Sequence, residues 1–363
     1  MRLQATASGV HAAVPGITEL ASGIDALYLS GHGELQPGLG IELEAHRVLA
    51  EEHHEPVPFT LGDGRWLVEP RGLGRYRFCL THEHGQIGVT DKAALPALRI
   101  QPRTEFMHAV GVRAALAWFR TQAEDAVPDV RLTGARLDVY SDWQGWDIGA
   151  GDGHRFVCRA SKLNTREDGE VWTGFEFGRR KTGTVTARIY DKSRQVAEAG
   201  YDWWPAVWGA RYDPGRPVVR VEFEIGRQAL REFGLNQADD VLKGAPGAWA
   251  ALTDGWLTYR APTADGTRSR WPVAPEWTQV QAASFAETAV GLERVKAGRH
   301  KGSLRKLTPG LVGYLASAGV HLGADDLQAT LEALPQVVRD YEISSRRSFT
   351  DRVRVKRRAL GLA

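Results

Sequence analysis

Tyr190 lies between two basic residues in the segment Arg188-Ile189-Tyr190-Asp191-Lys192. A tyrosine hydroxyl can replace one phosphoester bond with another. It is a weak nucleophile near neutral pH, because its ordinary pKa is about 10. On a strand, Arg188 and Lys192 would share one face with Tyr190. The spacing therefore predicts a pocket in which two cations stabilise a phosphate beside the attacking oxygen.

Four carboxylates stand on segments of the same alternating type. They are candidate ligands of a divalent cation: Asp138, Asp142, Glu222 and Glu224. Hard oxygen ligands are preferred by Mg²⁺ and Mn²⁺. Such an ion can polarise a phosphate and align it for attack. We therefore expect Mg²⁺ or Mn²⁺ to bind where pairing of the strands brings these carboxylates together.

Three segments supply these residues, at positions 135–142, 184–192 and 219–225. Each alternates ionisable and apolar side chains, which predicts a strand with one core face and one polar face. Together they predict an antiparallel sheet that is open on its polar side. Residues 173–177 are a further strand candidate. An ordinary solvated strand surface gives the same pattern, so the pattern alone leaves both interpretations open.

Taken together, the three segments resemble the replication initiation factor family, which includes rolling-circle plasmid initiators and related conjugative relaxases. The matching residues are ARLDVYSD at 135–142, ARIYDK at 187–192 and VRVEFE at 219–224. Their order and spacing are more specific than any one of them. The resemblance covers roughly residues 100 to 235.

This resemblance implies a role for each motif. Tyr190 would become joined to the 5′ phosphate of a nicked DNA strand. Asp138 and Glu222 would be the first ligands of the divalent ion, with Asp142 and Glu224 behind them. The family's sheet core looks like that of other rolling-circle nucleases, but without their paired metal-binding histidines on one strand.

Other residues offer alternatives to this site. His82-Glu83-His84 places two histidines on one strand face, where they could bind a metal. An exposed strand end is the other interpretation. Tyr201 and Tyr212 are rival nucleophiles, but neither has the basic neighbours of Tyr190. Tyr201 lies in a Trp-rich stretch for which packing or base stacking is expected.

Basic residues are clustered outside the site. The turn at 178–183 and two C-terminal clusters suit phosphate contacts that position DNA without reading its sequence. The predicted DNA contacts are Arg179, Arg180, Lys181, Arg299, Lys301, Arg305, Lys306, Arg354, Lys356, Arg357 and Arg358. Charge runs of this kind are also common on solvated surfaces.

The 363-residue chain is long enough for two or three units. We expect a β-rich N-terminal region (1–100), a catalytic domain (101–275) and a helical basic C-terminal region (276–363). Helices are predicted at about 39–53 and 104–124. The expected fold class is α+β, with a central antiparallel sheet and helices on one face.

Composition and targeting signals narrow the class of protein. The sequence is 43% hydrophobic and 25% charged, as in soluble globular proteins, and its net charge of +2 does not itself indicate nucleic acid. Cys79 and Cys158 are too few for a disulfide framework or a cysteine zinc cluster. No apolar run reaches the roughly 18 residues of a membrane span, and no signal segment opens the chain. A cytoplasmic location without membrane contact is expected.

The favoured hypothesis is a rolling-circle replication initiator that nicks one strand at an origin. A conjugative relaxase with the same chemistry, a non-catalytic DNA-binding protein and a hydrolase using metal-activated water are the alternatives. DNA is the expected partner, with a helicase or coupling protein as further candidates. The sequence leaves the oligomeric state open.

Overall fold

An antiparallel sheet of eleven strands carries the fold. The computed structural model describes residues 17–179, 184–285, 304–345 and 348–359. The chain forms two units, residues 1–294 and 295–363. All the paired strands of the large sheet run antiparallel. The predicted α+β class is confirmed, including the central antiparallel sheet, the strand-rich N-terminal region and the helical C-terminal region.

Residues 18–102 supply six neighbouring strands of this sheet. They are β1 (Thr18–His32), β2 (Val57–Leu61), β3 (Gly64–Val68), β4 (Phe78–His82), β5 (Gly85–Val89) and β6 (Leu98–Pro102). The other strands of the first unit are β7 (Arg131–Gln144), β8 (Phe156–Cys158), β9 (Leu163–Asp168), β10 (Val171–Phe177), β11 (Val185–Asp191), β12 (Val218–Gly226) and β13 (Leu257–Tyr259). In space the order is β2-β3-β4-β5-β6-β1-β7-β12-β11-β10-β9, while β13 and β8 pair separately. Strands from both sides of residue 100 therefore belong to one sheet.

Eight helices belong to the described part of the first unit. They are α1 (Leu39–His53), α2 (Thr104–Val110), α3 (Val112–Ala126), α4 (Lys192–Ala199), α5 (Trp204–Trp208), α6 (Arg227–Glu232), α7 (Ala238–Gly255) and α8 (Pro275–Gln281). Short 3-10 turns are found at Ala150–Arg155, Gly209–Arg211 and Arg268–Arg270. The helix expected at 39–53 is α1. The one expected at 104–124 is divided at Gly111, whose φ of 85° is unfavourable for other residues.

The apolar face of the sheet packs against helices. On β12, Val221, Phe223 and Ile225 are buried, and they alternate with the ionisable residues as expected. The ring of Phe223 lies 5.5 Å from that of Trp249 on α7. This face forms the core and fixes which side chains point the other way.

The second unit is helical where it is described. Its helices are α9 (Leu304–Leu322), α10 (Leu327–Ser345) and α11 (Phe349–Ala359). Helix α10 packs closely on α9 at Gly319. A Cβ at this glycine would lie only 2.7 Å from Oγ1 of Thr330. Among the helices of the described ranges, none is both long and apolar enough to cross a membrane.

Candidate active site on the polar face of the sheet

Strand register brings the candidate residues into rows across β7, β12 and β11. In the central row, Glu222 pairs with Tyr140 on one side and Arg188 on the other. In the next row, Arg220 lies between Asp142 and Tyr190. In the third, Glu224 pairs with Asp138 and Thr186. Opposed side chains in a sheet have Cβ atoms about 5 Å apart, so these ionisable groups interact directly.

The Tyr190 hydroxyl donates a hydrogen bond to Oε2 of Glu222 at 2.9 Å. Arg188 pairs with Oε1 of the same carboxylate. Burial, and then the negative charge of Glu222, raise the pKa of Tyr190 well above its ordinary value. The hydroxyl is therefore protonated near neutral pH, and its proton already points at a carboxylate.

Asp138 and Glu224 lie beside this group and share one guanidinium. Nε of Arg136 donates to Oδ1 of Asp138 at 2.7 Å, and its Nη2 lies 3.0 Å from Oε2 of Glu224. Burial raises the pKa of Asp138 to about 7 in spite of Arg136, and the charges of Glu222 and Glu224 add to the rise. Burial is thus the main cause of the raised pKa of Asp138, and repulsion by Glu222 and Glu224 is secondary.

These carboxylates are of the type that a divalent cation prefers, but their oxygens do not all lie within 4.8 Å of one another in this structure. Asp138, Glu222 and Glu224 offer hard carboxylate oxygens on two adjacent strands, and an added positive charge would relieve the repulsion that Asp138 experiences. Asp138 and Glu222 are buried, and each is paired with an arginine, Arg136 and Arg188 respectively.

Asp142 has a different environment from the other candidate ligands. Its Oδ1 accepts from Nε of Arg220 at 2.6 Å, and its Oδ2 accepts from Nη2 of Arg220 at 2.8 Å. The indole of Trp208 donates to Oδ2 at 2.7 Å. Both oxygens are therefore engaged in an ion pair whose two side chains are fully buried. The arginines that pair with Asp138 and Glu222 are 27% and 25% exposed, so Asp142 is the candidate ligand whose partner is least accessible.

Arg220 is the centre of a buried network that the sequence did not indicate. Its Nη1 lies 2.7 Å from Oδ1 of Asp25, on β1. Its guanidinium carbon lies 4.0 Å from the ring centroid of Tyr140 and 4.3 Å from that of Trp204. Two carboxylates and two aromatic faces thus hold the residue that pairs with Tyr190 across the strands.

The polar face is covered at this point, which corrects the expectation of an open face. Residues 192–211, between β11 and β12, form α4, α5 and a 3-10 turn. They place Trp204 and Trp208 over Arg220 and Asp142. Four aromatic side chains within 201–208 make this excursion apolar enough to pack on the sheet instead of remaining in solvent.

Lys192 begins helix α4 and does not continue β11 as expected. The strand ends at Asp191, whose side chain caps the helix by accepting from the Arg194 amide at 3.0 Å. Lys192 nevertheless stays near the site, with Nζ 6.0 Å from the Tyr190 ring centroid and 4.4 Å from that of Trp204. Burial and the charge of Arg220 lower the pKa of Lys192 to about 8.

A cleft of about 410 Å³ opens beside Tyr190. Arg188 also lines it, together with Arg166 and Glu176, which form an ion pair at 2.7 Å. Gly174 on β10 lies directly opposite Tyr190. A Cβ at Gly174 would lie 2.8 Å from Cβ of Tyr190, so the absence of a side chain leaves room for the tyrosine.

The alternative metal group, His82-Glu83-His84, lies at the β4–β5 turn. Within the described ranges, these three are the residues whose potential ligand atoms gather within 4.8 Å of one another. The His84 amide donates to Nδ1 of His82 at 3.0 Å, however. The proton of neutral His82 therefore lies on Nε2, which then has no lone pair for a metal. His84 instead stacks on Phe106, with ring centroids 3.8 Å apart.

The remaining candidates lie elsewhere. The rival tyrosines face aromatic rings, Tyr201 at 6.3 Å from Trp203 and Tyr212 at 4.6 Å from Trp208. Arg179 follows β10 and is exposed, as are Arg354 and Arg357 on α11. Four of the predicted DNA contacts lie outside the described residues: Arg180, Lys181, Arg299 and Lys301. Four others lie on α9 or α11 with side chains outside the description: Arg305, Lys306, Lys356 and Arg358.

Three residues around the Arg220–Asp142 pair were missed from the sequence. Asp25 lies on β1, far from the matched motifs, and Trp208 lies just after the Trp-rich stretch for which packing or base stacking is expected. His108 on α2 lies 4.9 Å from Trp204, and burial lowers its pKa to about 4. A buried ionisable residue outside a motif gives no periodic signal, so only the fold could reveal these residues.

Comparison with known proteins finds similarity only to solved structures. No family model matches the chain, and no curated protein matches it. The structure is similar to that of a rolling circle replication initiator protein from Geobacillus stearothermophilus, with a TM-score of 0.42 and 16% sequence identity. The match covers 74% of this chain and 96% of that chain.

Proposed function

We propose that the chain is a DNA-nicking and strand-transfer enzyme of the rolling-circle initiator type, with Tyr190 as its nucleophile. The observation that carries the proposal is the hydrogen bond from the Tyr190 hydroxyl to Glu222, beside Arg188 in an open cleft. A nucleophile, a proton acceptor and a cation meet there, which is the combination that phosphoryl transfer to tyrosine needs.

The reaction begins with the proton of Tyr190. As the phenolic oxygen attacks phosphorus, Glu222 accepts this proton, because its Oε2 is already the hydrogen-bond acceptor. The new O–P bond joins Tyr190 to the 5′ phosphate, and the bond between phosphorus and the 3′ oxygen breaks. The 3′ oxygen leaves and takes a proton from water. The free 3′ hydroxyl can then prime DNA synthesis.

Cations compensate the charge that develops on the phosphate. The guanidinium carbon of Arg188 lies 5.5 Å from the Tyr190 ring centroid, and Lys192 approaches the same ring from α4. Arg188 is held by Glu222 before DNA arrives, so little reorganisation is needed. We assign both residues to stabilisation of the phosphate.

The carboxylates are assigned to a divalent cation, Mg²⁺ or Mn²⁺. Asp138 and Glu222 are the proposed ligands, with Glu224 in support from the position opposite Asp138. When bound, the ion supplies polarisation of a phosphate oxygen. Glu222 orients the tyrosine hydroxyl in addition, so loss of Glu222 should harm both metal binding and proton transfer.

A covalent trapping experiment tests this function. The intact protein is incubated with Mn²⁺ and a random-sequence single-stranded DNA pool that is labelled at one end or the other. We expect an adduct that survives denaturation and retains the 3′-end label, while the 5′-labelled fragment is released. Tyr190→Phe should abolish the adduct, with Tyr212→Phe as the matched control that retains it.

Other outcomes of the same experiment would contradict the proposal. Cleavage without an adduct would indicate hydrolysis by metal-activated water, and binding without cleavage would indicate a non-catalytic DNA-binding protein. An adduct that retains the 5′-end label would indicate the opposite polarity. A conjugative relaxase would give the expected adduct too, since it performs the same bond changes.

A further inference from the structure

A second cleft, of about 520 Å³, lies on the same face of the sheet as the Tyr190 site. It is bordered by β1, β6, α4 and α5, and its volume is in the range of roughly 300 to 1,000 Å³ found for small-ligand pockets. Gln195 lines both this cleft and the one beside Tyr190. The Lys192 ammonium, which donates to Gln195 at 2.7 Å, lines the second cleft too. The two clefts therefore adjoin at α4.

Aromatic side chains form one wall of the second cleft. Trp203 is stacked on buried Trp204, with ring centroids 4.6 Å apart and an interplanar angle of 27°. Tyr201 lies next to Trp203 and is 44% exposed. Tyr201 and the half-buried Trp203 together leave flat aromatic surface accessible at this wall. The backing by Trp204 also holds Trp203 in place before any ligand arrives.

The rest of the lining is largely polar, with Arg103 and Lys192 as its basic residues and Asp25 and Glu105 as its acidic residues. Arg103 lines the cleft at the end of β6, and the amide of Gln86 lies on the neighbouring strand β5. An arginine and a lysine can bind the phosphates on either side of a flat ring, while a carboxamide can donate to and accept from its edge. Flat apolar surface, edge donors and nearby cations are the features of a site for an unpaired nucleotide.

We propose that this cleft binds one unpaired nucleobase of single-stranded DNA, adjacent to the phosphate held at Tyr190. Its placement next to the reacting phosphate rests on the proposed function; its binding of a base does not. The base stacks on the wall formed by Tyr201 and Trp203, and Lys192 and Arg103 contact its flanking phosphates. The cleft would thereby fix which phosphate in a bound strand reaches Tyr190.

Photochemical crosslinking tests the location. The probe is an oligothymidylate of about 20 nucleotides with one thymine replaced by 5-iodouracil, bound to the intact Tyr190→Phe variant so that no cleavage occurs. Mass spectrometry should map crosslinks to Tyr201 or Trp203. Crosslinks confined to other residues would overturn the proposal. The proposal would also be overturned if competing duplex DNA reduced the crosslinks at Tyr201 and Trp203 more than competing single-stranded DNA did.

Binding measurements test whether a base is recognised. We expect the intact protein to bind oligothymidylate at least fivefold more tightly than a base-free strand of equal length. Trp203→Leu should remove most of this preference, and Trp203→Phe should restore it. Tyr201→Leu is a second variant at an exposed position, where loss of folding is not expected.

The control for these measurements is Tyr314→Leu, which removes an 80% exposed aromatic from α9. It should leave the preference for bases unchanged. An equal affinity of the intact protein for the two strands would overturn the proposal, as would an unchanged preference in both Trp203→Leu and Tyr201→Leu. Failure of the nicking function alone would appear differently, as absence of the Tyr190 adduct with crosslinking at the cleft retained.

Discussion

The Tyr190 hydroxyl is held in its protonated form by its surroundings. Burial and the Glu222 carboxylate both disfavour a phenolate in the free protein. A bound phosphate and its cation would favour loss of the Tyr190 proton only if a neighbouring group accepts that proton. The hydrogen bond at 2.9 Å provides that acceptor. Under the proposed function, attack by Tyr190 would therefore be coupled to proton transfer and would not use a pre-formed phenolate.

Lys192 leads to a prediction about pH. Because burial and Arg220 lower its pKa to about 8, the ammonium is charged below this pH and loses its charge as pH rises through it. We expect affinity for single-stranded DNA to decline across this range. The salt dependence should also become shallower by about 0.7 in log–log slope, the amount for one phosphate contact.

Lys192→Arg is the matched control, since arginine stays charged throughout this range. Fluorescence anisotropy at about pH 7 and about pH 9 measures both quantities. An identical decline in Lys192→Arg would show that another group titrates.

The Arg220–Asp142 pair leads to a prediction about stability. Both side chains are 0% exposed, so Asp142→Ala leaves a buried guanidinium with one carboxylate fewer. We expect a loss of about 3–5 kcal/mol in the free energy of unfolding, measured in urea. Asp239→Ala is the control, because its exposed pair with Arg120 should contribute at most about 1 kcal/mol. A loss below about 1 kcal/mol in Asp142→Ala would contradict this account.

At the scale of the elements, strand alternation could be predicted from the sequence and register could not. The period of two assigned Asp138, Tyr190, Glu222 and Glu224 to polar faces correctly, because apolar residues alternate with them. The ion pairs made by Arg136 and Arg220 depend on which strands are neighbours and at what offset. Nothing local in the sequence encodes that, so Asp142 could not be separated from the other carboxylates.

Local signals explain two further differences. Lys192 was assigned to a strand because the alternation runs through it, but Asp191 is a good N-cap and ends the strand. The sequence did not predict that residues 201–208 pack over Arg220. A Trp-rich segment indicates burial, but only the tertiary fold shows which surface it packs on. Both differences change what surrounds Tyr190, and neither changes the face on which it lies.

Gly174 leads to a prediction at this scale. A methyl group there would lie 2.8 Å from Cβ of Tyr190 and 2.9 Å from the Ile189 carbonyl oxygen, so β10 or β11 must shift. We expect Gly174→Ala to reduce the rate of adduct formation about 100-fold, the cost of a misplacement of about 1 Å.

Gly266→Ala serves as the control for this prediction, because its Cβ would meet no atom within 4 Å. Circular dichroism should show that both variants are folded. An unchanged rate in Gly174→Ala would mean that the space opposite Tyr190 is not needed.

At the scale of the whole molecule, residues 18–102 are part of the framework that carries the candidate site. Their strands extend the sheet on which the site lies, and β1 supplies Asp25 to Arg220. Arg103, which follows β6, lines the second cleft and also a third one, of about 680 Å³, beside His82 and His84. The sequence could not predict this contribution, because no motif in these strands links them to the segments at 135–142, 184–192 and 219–225.

We expect the second unit to strengthen DNA binding and to contribute no residue to the proposed reaction. Arg354 and Arg357 are exposed on α11, and we expect phosphate contacts from both. Changing both to glutamine should weaken single-stranded DNA binding and make the salt dependence shallower by about 1.4 in log–log slope. Arg120→Gln in the first unit is the control. An unchanged slope in the double variant would exclude α11 from DNA contact.

The most direct measurement of the central claim is the identity of the residue that carries the DNA. The protein–DNA adduct is trapped with Mn²⁺, digested with nuclease and protease, and analysed by mass spectrometry. We predict that the nucleotide remains on the peptide that contains Tyr190, linked through its 5′ phosphate. A nucleotide on Tyr201, Tyr212 or any other residue, or cleavage that leaves every tyrosine unmodified, would contradict the account.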